Sequence, residues 1–388
     1  MVEGFAEFEG DWGANARLAW DTIALEPTRG IPGWIVHVMD HGLLEEVAGY
    51  APGSYRESPE QVYRDFQLAA GCCLCDQWIP TNPLTMSDDG FDSTTARGAT
   101  TGAEATVVDG TVIDSPEAVV EHMERVLFPR LEVSAAEIDP GDDAAVARLI
   151  AQEVATQRFL GRDILKGPYG GFQAFPAFLY STYGYEPYFA AYALYPEVME
   201  RCFALQANRA VRRNALSARA IREGGLPPVV RLDHDMTDSR GTLVRPESLD
   251  RIWFPYFARA VEPLLDAGIR LLWHCDGNVM AMVPRLIEAG VGGFQGFQYE
   301  DGVDYEAICR MTDRDGGPLM IWAGVSVTRT LPFGTAADVR RELRWLVEHG
   351  PPVGLFLGGS SSITPSTRRA NVKALIEGLA HYRTKGRG

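Results

Sequence analysis

From about Arg222 onward the chain alternates short apolar runs with amphipathic segments, and this alternation constrains the fold more than any other feature. The runs are Pro228–Leu232, Arg270–Trp273, Gly293–Phe297, Leu319–Trp322 and Val353–Leu357. Runs of this kind read as strands buried on both faces of a parallel sheet. The intervening segments carry helical spacing. In one of them Val339, Leu343, Leu346 and Val347 form a single apolar stripe. Thr335, three residues before Asp338, is close to a capping box with Asp in place of Glu. Gly350 followed by Pro351-Pro352 ends that helix. Strands alternating with helices specify βαβ units. Five such units in one half of a 388-residue chain predict an α/β fold, a (β/α)8 TIM barrel.

The N-terminal half is less regular. Asn15 to Leu25 reads as a helix, and Gly33–Met39 and Gly71–Trp78 read as strands. The pattern breaks between Met86 and Arg130. Within that stretch Ala105 to Ile113 reads as a β-hairpin with Asp109-Gly110 at its turn. Ser115-Pro116-Glu117 then starts a helix. Gly167 to Tyr188, rich in glycine and aromatics, reads as a long loop over a pocket. No internal repeat or low-complexity linker interrupts the chain. Residues 1–388 are therefore expected to form one barrel domain, with an N-terminal helical segment and a hairpin insertion.

A net charge of −16 with no Lys/Arg-rich block disfavours nucleic acid and anionic membrane surfaces as partners. No apolar run approaches the roughly 20 residues of a membrane span. Six cysteines in a chain this long do not form a disulfide-framework pattern. Met1 to Asp11 lacks the basic and apolar regions of a signal peptide. The expectation is a cytoplasmic protein.

Candidate chemistry sits at the ends of the apolar runs, where parallel α/β folds place their sites. Leu271-Leu272-Trp273 leads into His274-Cys275-Asp276-Gly277-Asn278. Strand periodicity puts His274 and Asp276 on one side and Cys275 on the other. That pairing suits metal ligation or proton transfer; a capped strand end is the plain structural alternative. Asp233-His234-Asp235 closes the preceding run, and His234 or Asp235 is expected to face the same mouth as a ligand or general acid/base. Gln298 and Glu300 follow the next run as substrate-contact candidates, whereas Asp304 reads as a helix cap. His37 and Tyr169 are expected to line the pocket. His37 and His41 are four apart but sit in an extended segment, which argues against a metal pair. Cys72, Cys73 and Cys75 read as packed thiols. Gly358-Gly359-Ser360-Ser361-Ser362 could bind an anion through backbone N–H groups or be a plain loop.

The order of these elements resembles the uroporphyrinogen decarboxylase superfamily, which includes zinc- and corrinoid-dependent methyltransferases. The resemblance runs from Asn15-Ala16-Arg17-Leu18 and Arg29 to Trp34, through the hairpin and His234-Asp235-Met236, to His274-x-Asp276-Gly277-Asn278. It continues through Gly324-Val325-Ser326 and Leu331-x-x-Gly334-Thr335 to Ile363-Thr364-Pro365 and Asn371-Val372-x-Ala374-Leu375. It implies a (β/α)8 barrel. Uroporphyrinogen decarboxylases carry an arginine-rich segment after the first strand that clamps carboxylates. Here Trp34 to His41 contains no arginine, which disfavours a porphyrinogen substrate. The methyltransferase branch holds zinc with His-x-Cys and a later Cys. Here those thiolate positions fall at Asp276 and Ser361. A harder O/N set of His274, Asp276 and His234 or Asp235 is expected instead. The resemblance thus implies a demethylase-type methyltransferase moving a methyl group from a small methylated substrate, such as a methoxylated aromatic, to cobalamin on a separate corrinoid protein. The alternative is a cofactor-free decarboxylase or lyase acting on a smaller acid. A homodimer is left open.

Overall fold

The computed structural model describes residues 4–82, 86, 106–365 and 367–387. Ala105, placed at the start of the hairpin from sequence, lies outside them. The architecture is mixed α/β. Its centre is a parallel five-stranded sheet. In chain order its strands are β5 (Val229–Asp233), β8 (Arg270–His274), β9 (Val291–Gln295), β10 (Met320–Val325) and β11 (Leu355–Gly359). Each pairs with its neighbour in that order. These are the apolar runs of the C-terminal half. Burial on both faces explains why they were readable as runs.

The N-terminal half adds to the β11 edge with much less backbone pairing. Residues 33–38 run beside β11 and the segment after it, with isolated parallel bridges from Gly33 to Leu357 and from Val38 to Ile363. The Cys73 N–H donates to the Gly33 carbonyl. Beyond it, β1 (Leu74–Cys75) pairs in parallel with β4 (Leu165–Lys166). The strands expected at Gly33–Met39 and Gly71–Trp78 are thus an irregular extended segment and a two-residue strand. Extended segments therefore follow one another in the order β4, β1, 33–38, β11, β10, β9, β8, β5. No backbone hydrogen bond between β4 and β5 is found among the described residues. Side chains span that seam instead. Arg231 of β5 reaches Asp76, and Tyr169, just past β4, reaches Asp233.

The helices follow the local signals. Thr335 and Asp338 form a capping box on the helix Ala336–His349, which buries Val339, Leu343, Leu346 and Val347. Ser115 caps Pro116–His122. The described part of the hairpin is β2 (Thr106–Val108) paired antiparallel with β3 (Thr111–Ile113). Asp109 at φ 51° and Gly110 at φ 79° make the left-handed turn that Asp-Gly favours. A second small antiparallel pair, β6 (Thr237–Asp238) with β7 (Gly241–Thr242), follows β5 and was not anticipated. No described helix is long and apolar enough to cross a membrane.

Strand register sorts the side chains onto two faces. Trp273, on the helix side of β8, packs with Trp253, Phe257 and Phe175 at ring-centroid distances of 5.6–6.0 Å. Each such ring withdrawn from water contributes about 1.5–3 kcal/mol. Register places Arg231, Asp233, Leu272, His274, Gln295, Trp322 and Phe356 on the other face. That face is polar toward the strand C-termini. Trp34 packs there against Trp322, and Arg231 lies over Trp34.

Candidate active site

The C-terminal ends of β5 and β8 bring His274, Asp276 and Asp235 together. One ligand atom from each lies within 4.8 Å of the others. Register pairs Asp233 directly with His274. His274 is 6% exposed. Its Nε2 lies 3.9 Å from Asp276 Oδ1, and its Nδ1 is buried without a protein partner. The ring lies close against Gly296, whose φ is 77°. A Cβ there would sit 2.5 Å from His274 Nδ1, so only glycine fits both the backbone and the contact.

Asp276 is positioned by the chain around it. Its Oδ1 accepts a hydrogen bond from Gln298 Nε2 at 2.9 Å. The Oε1 of the same amide accepts from the Gly277 N–H at 2.7 Å. Gln298 is buried, so this clasp fixes the carboxylate relative to its own backbone. Asp235 Oδ1 accepts from the Asp276 N–H at 2.9 Å, tying the β5 and β8 ends together. Burial pushes the Asp276 carboxyl above its ordinary value. The neighbouring carboxylates Asp235, Asp233 and Glu300 add to that rise, and His274 opposes it. The mouth therefore holds more negative charge than its own cations offset.

Arg231 is the main described cation beneath it. It is 2% exposed and fully engaged: Nε donates to Asp76 Oδ2 at 2.8 Å, Nη1 to Asp233 Oδ2 at 3.0 Å and Nη2 to Gln77 Oε1 at 3.1 Å. Its guanidinium also lies 4.6 Å from the centre of the Tyr169 ring. Burial would strip its charge, but Asp76, Tyr169 and Asp233 hold the proton on it more firmly than usual. Burial would likewise raise the Asp233 carboxyl; His274, Arg231 and the Tyr169 hydroxyl outweigh it and leave Asp233 below the ordinary range. Arg231 was not anticipated from sequence.

The remaining sequence candidates divide. Tyr169 is at the site, donating to Asp233 at 3.0 Å. Glu300 borders it. Its Oε1 accepts from Ser326 Oγ at 2.5 Å and from Thr328, and its Oε2 is buried without a protein partner. His234 does not join the cluster. Its Nε2 accepts from the Phe178 N–H at 2.8 Å, and its ring contacts Phe175, Phe178 and Tyr180. Burial pushes it down to about 4, so it is neutral at pH 7. Expected from sequence as a ligand or general acid/base, His234 is placed away from the cluster, under the aromatic segment. The physical reason is parity: His234 alternates with Asp233 and Asp235 and faces the other way.

His37 lines a separate recess of about 520 Å³ with Met39, Gln77, Trp78 and Asn82. Its Nδ1 pairs with Ser362 Oγ at 3.2 Å and its Nε2 with Asn82 at 2.7 Å. Burial lowers it to about 4. Gln77, shared between this recess and Arg231, connects it to the mouth. His41 stacks on Tyr55 and makes no pair with His37. Asp304 caps the helix Tyr305–Cys309, as expected. Cys275 faces away, accepting from the Met236 N–H at 3.2 Å, and burial raises its thiol to about 12.

The donor set of one imidazole and two carboxylates suits a divalent ion that accepts O/N ligands, and the surplus negative charge favours one. A tetrahedral ion at about 2.0–2.2 Å needs ligand atoms roughly 3.4 Å apart. The observed spacings, 3.9 Å between His274 Nε2 and Asp276 Oδ1 and at most 4.8 Å across the set, are wider than this.

The fold is similar to that of a methyltransferase from Methanosarcina mazei. The two share 16% sequence identity with a TM-score of 0.54, over 95% of this chain and 98% of that one. At this identity the likeness is one of fold. No protein-family model matches the sequence, and no curated protein does.

Proposed function

We propose that this chain is a methyltransferase, built as one domain whose ring of extended segments closes into a (β/α)8 barrel. It moves a methyl group from a small methylated substrate, such as a methoxylated aromatic, to cobalamin on a separate corrinoid protein. The observation that carries this reading is the Asp235–His274–Asp276 cluster at the strand C-termini. It is supported by the fold shared with a methyltransferase.

His274, Asp276 and Asp235 would hold a zinc or similar ion. When bound, such an ion supplies Lewis acidity toward the leaving oxygen. The chain's own groups do the rest. Gln298 orients Asp276, and Asp235 locks the Asp276 backbone. Asp276, with its carboxyl raised, is suited to hold a proton when no cation offsets its charge; with a cation present it stays ionised. Tyr169, fixed between Asp233 and Arg231, forms one wall. In the proposed reaction the methyl–oxygen bond would break, the methyl group passing to the separate protein's reduced corrinoid and the oxygen leaving as a phenolate that takes up a proton. The sparing use of cations at the mouth disfavours a polycarboxylate substrate.

The test is zinc content after reconstitution, with cob(I)alamin methylation followed optically against methoxylated phenols and methylamines. His274→Ala is expected to abolish metal retention and lower turnover by about 10²-fold or more. Release of CO₂ from a small acid, with no corrinoid requirement, would refute the proposal in favour of a decarboxylase.

A further inference from the structure

A recess of about 680 Å³ adjoins the cluster beyond the ends of β5 and β8. Its floor is the chain that follows two of the cluster's carboxylates. Asp235 leads into the β6–β7 hairpin, and Asp276 into Gly277 and Asn278. The Asn278 N–H donates to the Asp238 carbonyl at 2.8 Å, and Thr237 Oγ1 donates to the Asp276 carbonyl. Gly277 permits that approach, because at its φ of 91° a Cβ would lie 2.5 Å from the Asp238 carbonyl oxygen. The wall is Tyr185 and Phe189, with ring centroids 5.0 Å apart. Tyr180 backs both rings at 4.8 and 5.9 Å, and its hydroxyl donates to the Asp235 carbonyl at 3.0 Å. Wall and floor are therefore both anchored at Asp235. Burial raises the Tyr185 hydroxyl, and Asp235 and Asp238 add to the rise, so that ring lies within the field of both carboxylates.

The two charged groups lining the recess cancel each other. Arg240 Nη2 and Nε donate to Asp238 Oδ2 at 2.8 and 3.2 Å, and the Arg240 side chain is 89% exposed, which puts the pair at the outer rim. Leu243 and Ala281 add apolar surface. Recesses of this size that combine aromatic walls with a few polar groups commonly take small molecules. An ammonium or a polycarboxylate finds no uncompensated counter-charge in this lining. A flat uncharged ring gains offset or edge contact with Tyr185 and Phe189. We propose that this recess seats the ring of an uncharged methoxylated arene, with Tyr185 and Phe189 selecting it over aliphatic and charged methyl donors and its methoxy end toward the Asp235–His274–Asp276 cluster. Only the direction of the methoxy end rests on the methyltransferase reading; binding of the ring is tested apart from it.

The experiment is a ligand-observed NMR titration of the full chain with 2-methoxyphenol, beside 2-methoxycyclohexanol and tetramethylammonium, without corrinoid. The arene is expected to bind about 10-fold tighter than either comparison ligand. Tyr185→Leu and Phe189→Leu should each weaken arene binding by about 3–10-fold and leave the comparison ligands unchanged. Ala281→Trp, a substitution at an exposed position of the lining, should fill the recess and abolish arene binding. No measurable arene binding, equal binding of the three ligands, or arene affinity unchanged in the leucine variants overturns the proposal. Should the leucine variants not fold, arene binding unchanged in Ala281→Trp overturns it. If the arene binds as expected but its methyl group is never passed to cob(I)alamin, the methyltransferase reading fails while the seat stands. If methoxyphenols are turned over with a KM unchanged in Tyr185→Leu and Ala281→Trp, the seat fails while that reading stands.

Discussion

Arg231→Met is expected to be the costliest single substitution near the site, although Arg231 is not a ligand. The guanidinium is buried, and so is Asp76, its strongest partner at 2.8 Å. Methionine replaces the apolar stem but not the guanidinium, so a small cavity adds to the change. The main change is electrostatic: Asp76 keeps only the Trp34 Nε1 bond at 3.0 Å, and Asp233 keeps only Tyr169. Breaking a buried ion pair by removing one partner typically costs about 3–5 kcal/mol, because an uncompensated charge stays behind. Asp233 is partly exposed and adds little to that; Asp76 carries most of it. Urea unfolding followed by tryptophan fluorescence measures the loss, and Trp34 reports from inside the network. Adding Asp76→Asn should recover most of the stability, giving a coupling energy at the upper end of the usual range, about 2–3 kcal/mol. A loss below about 1 kcal/mol, or simple additivity in the double variant, would refute the reasoning.

Other expectations follow from the same geometry. His37 and His234 both fall to about 4 in the folded chain, below their ordinary value of 6.5. The unfolded chain therefore binds more protons between these values: their contribution is fully present above pH 6.5, declines as pH falls, and levels off below pH 4, by up to about 3 kcal/mol each. Urea midpoints across that range should show the slope, and His37→Gln should flatten it. Gly296→Ala puts a Cβ against the His274 ring at a φ of 77°, so it should lower the urea midpoint and weaken zinc retention together; a stable variant with normal metal content would contradict this. Gln298→Leu frees the Asp276 carboxylate and the Gly277 N–H, and zinc titration should show affinity reduced 10–100-fold.

The C-terminal strands were legible because they are buried on both faces, which turns a strand into a continuous apolar run. The N-terminal segments are legible in position, but their sequence reads as more regular than the structure is. Residues 33–38 hold their position through two isolated bridges and side-chain contacts, and such pairing leaves no run length to read. His274 and Asp276 were found by strand parity, and parity applied one strand earlier separates His234 from Asp233 and Asp235. Grouping those three as one titratable cluster hid that signal. Arg231 was hidden for the opposite reason: it lies inside an apolar run, where a lone charge reads as an interruption. Its position two residues before Asp233 puts it on the site's face, and a charged residue at that parity marks a polar interior.

That polar interior explains why the site is where it is. Arg231 is divided between Asp76 and Asp233, and what remains above it is the pair Asp235 and Asp276 with Glu300 nearby. Carboxylates crowded in partial burial must take up a cation or a proton. The raised Asp276 carboxyl is the same fact seen from the proton's side. A divalent ion and a proton are thus competitors for one charge deficit, and the two reactions considered for this chain differ in which of them fills it. Adding zinc should therefore lower the pH at which Asp276 titrates, and a carbon-13 titration of labelled aspartate measures this directly. An Asp276 titration unmoved by saturating zinc would remove the ion from the mouth and leave the carboxyl as an acid.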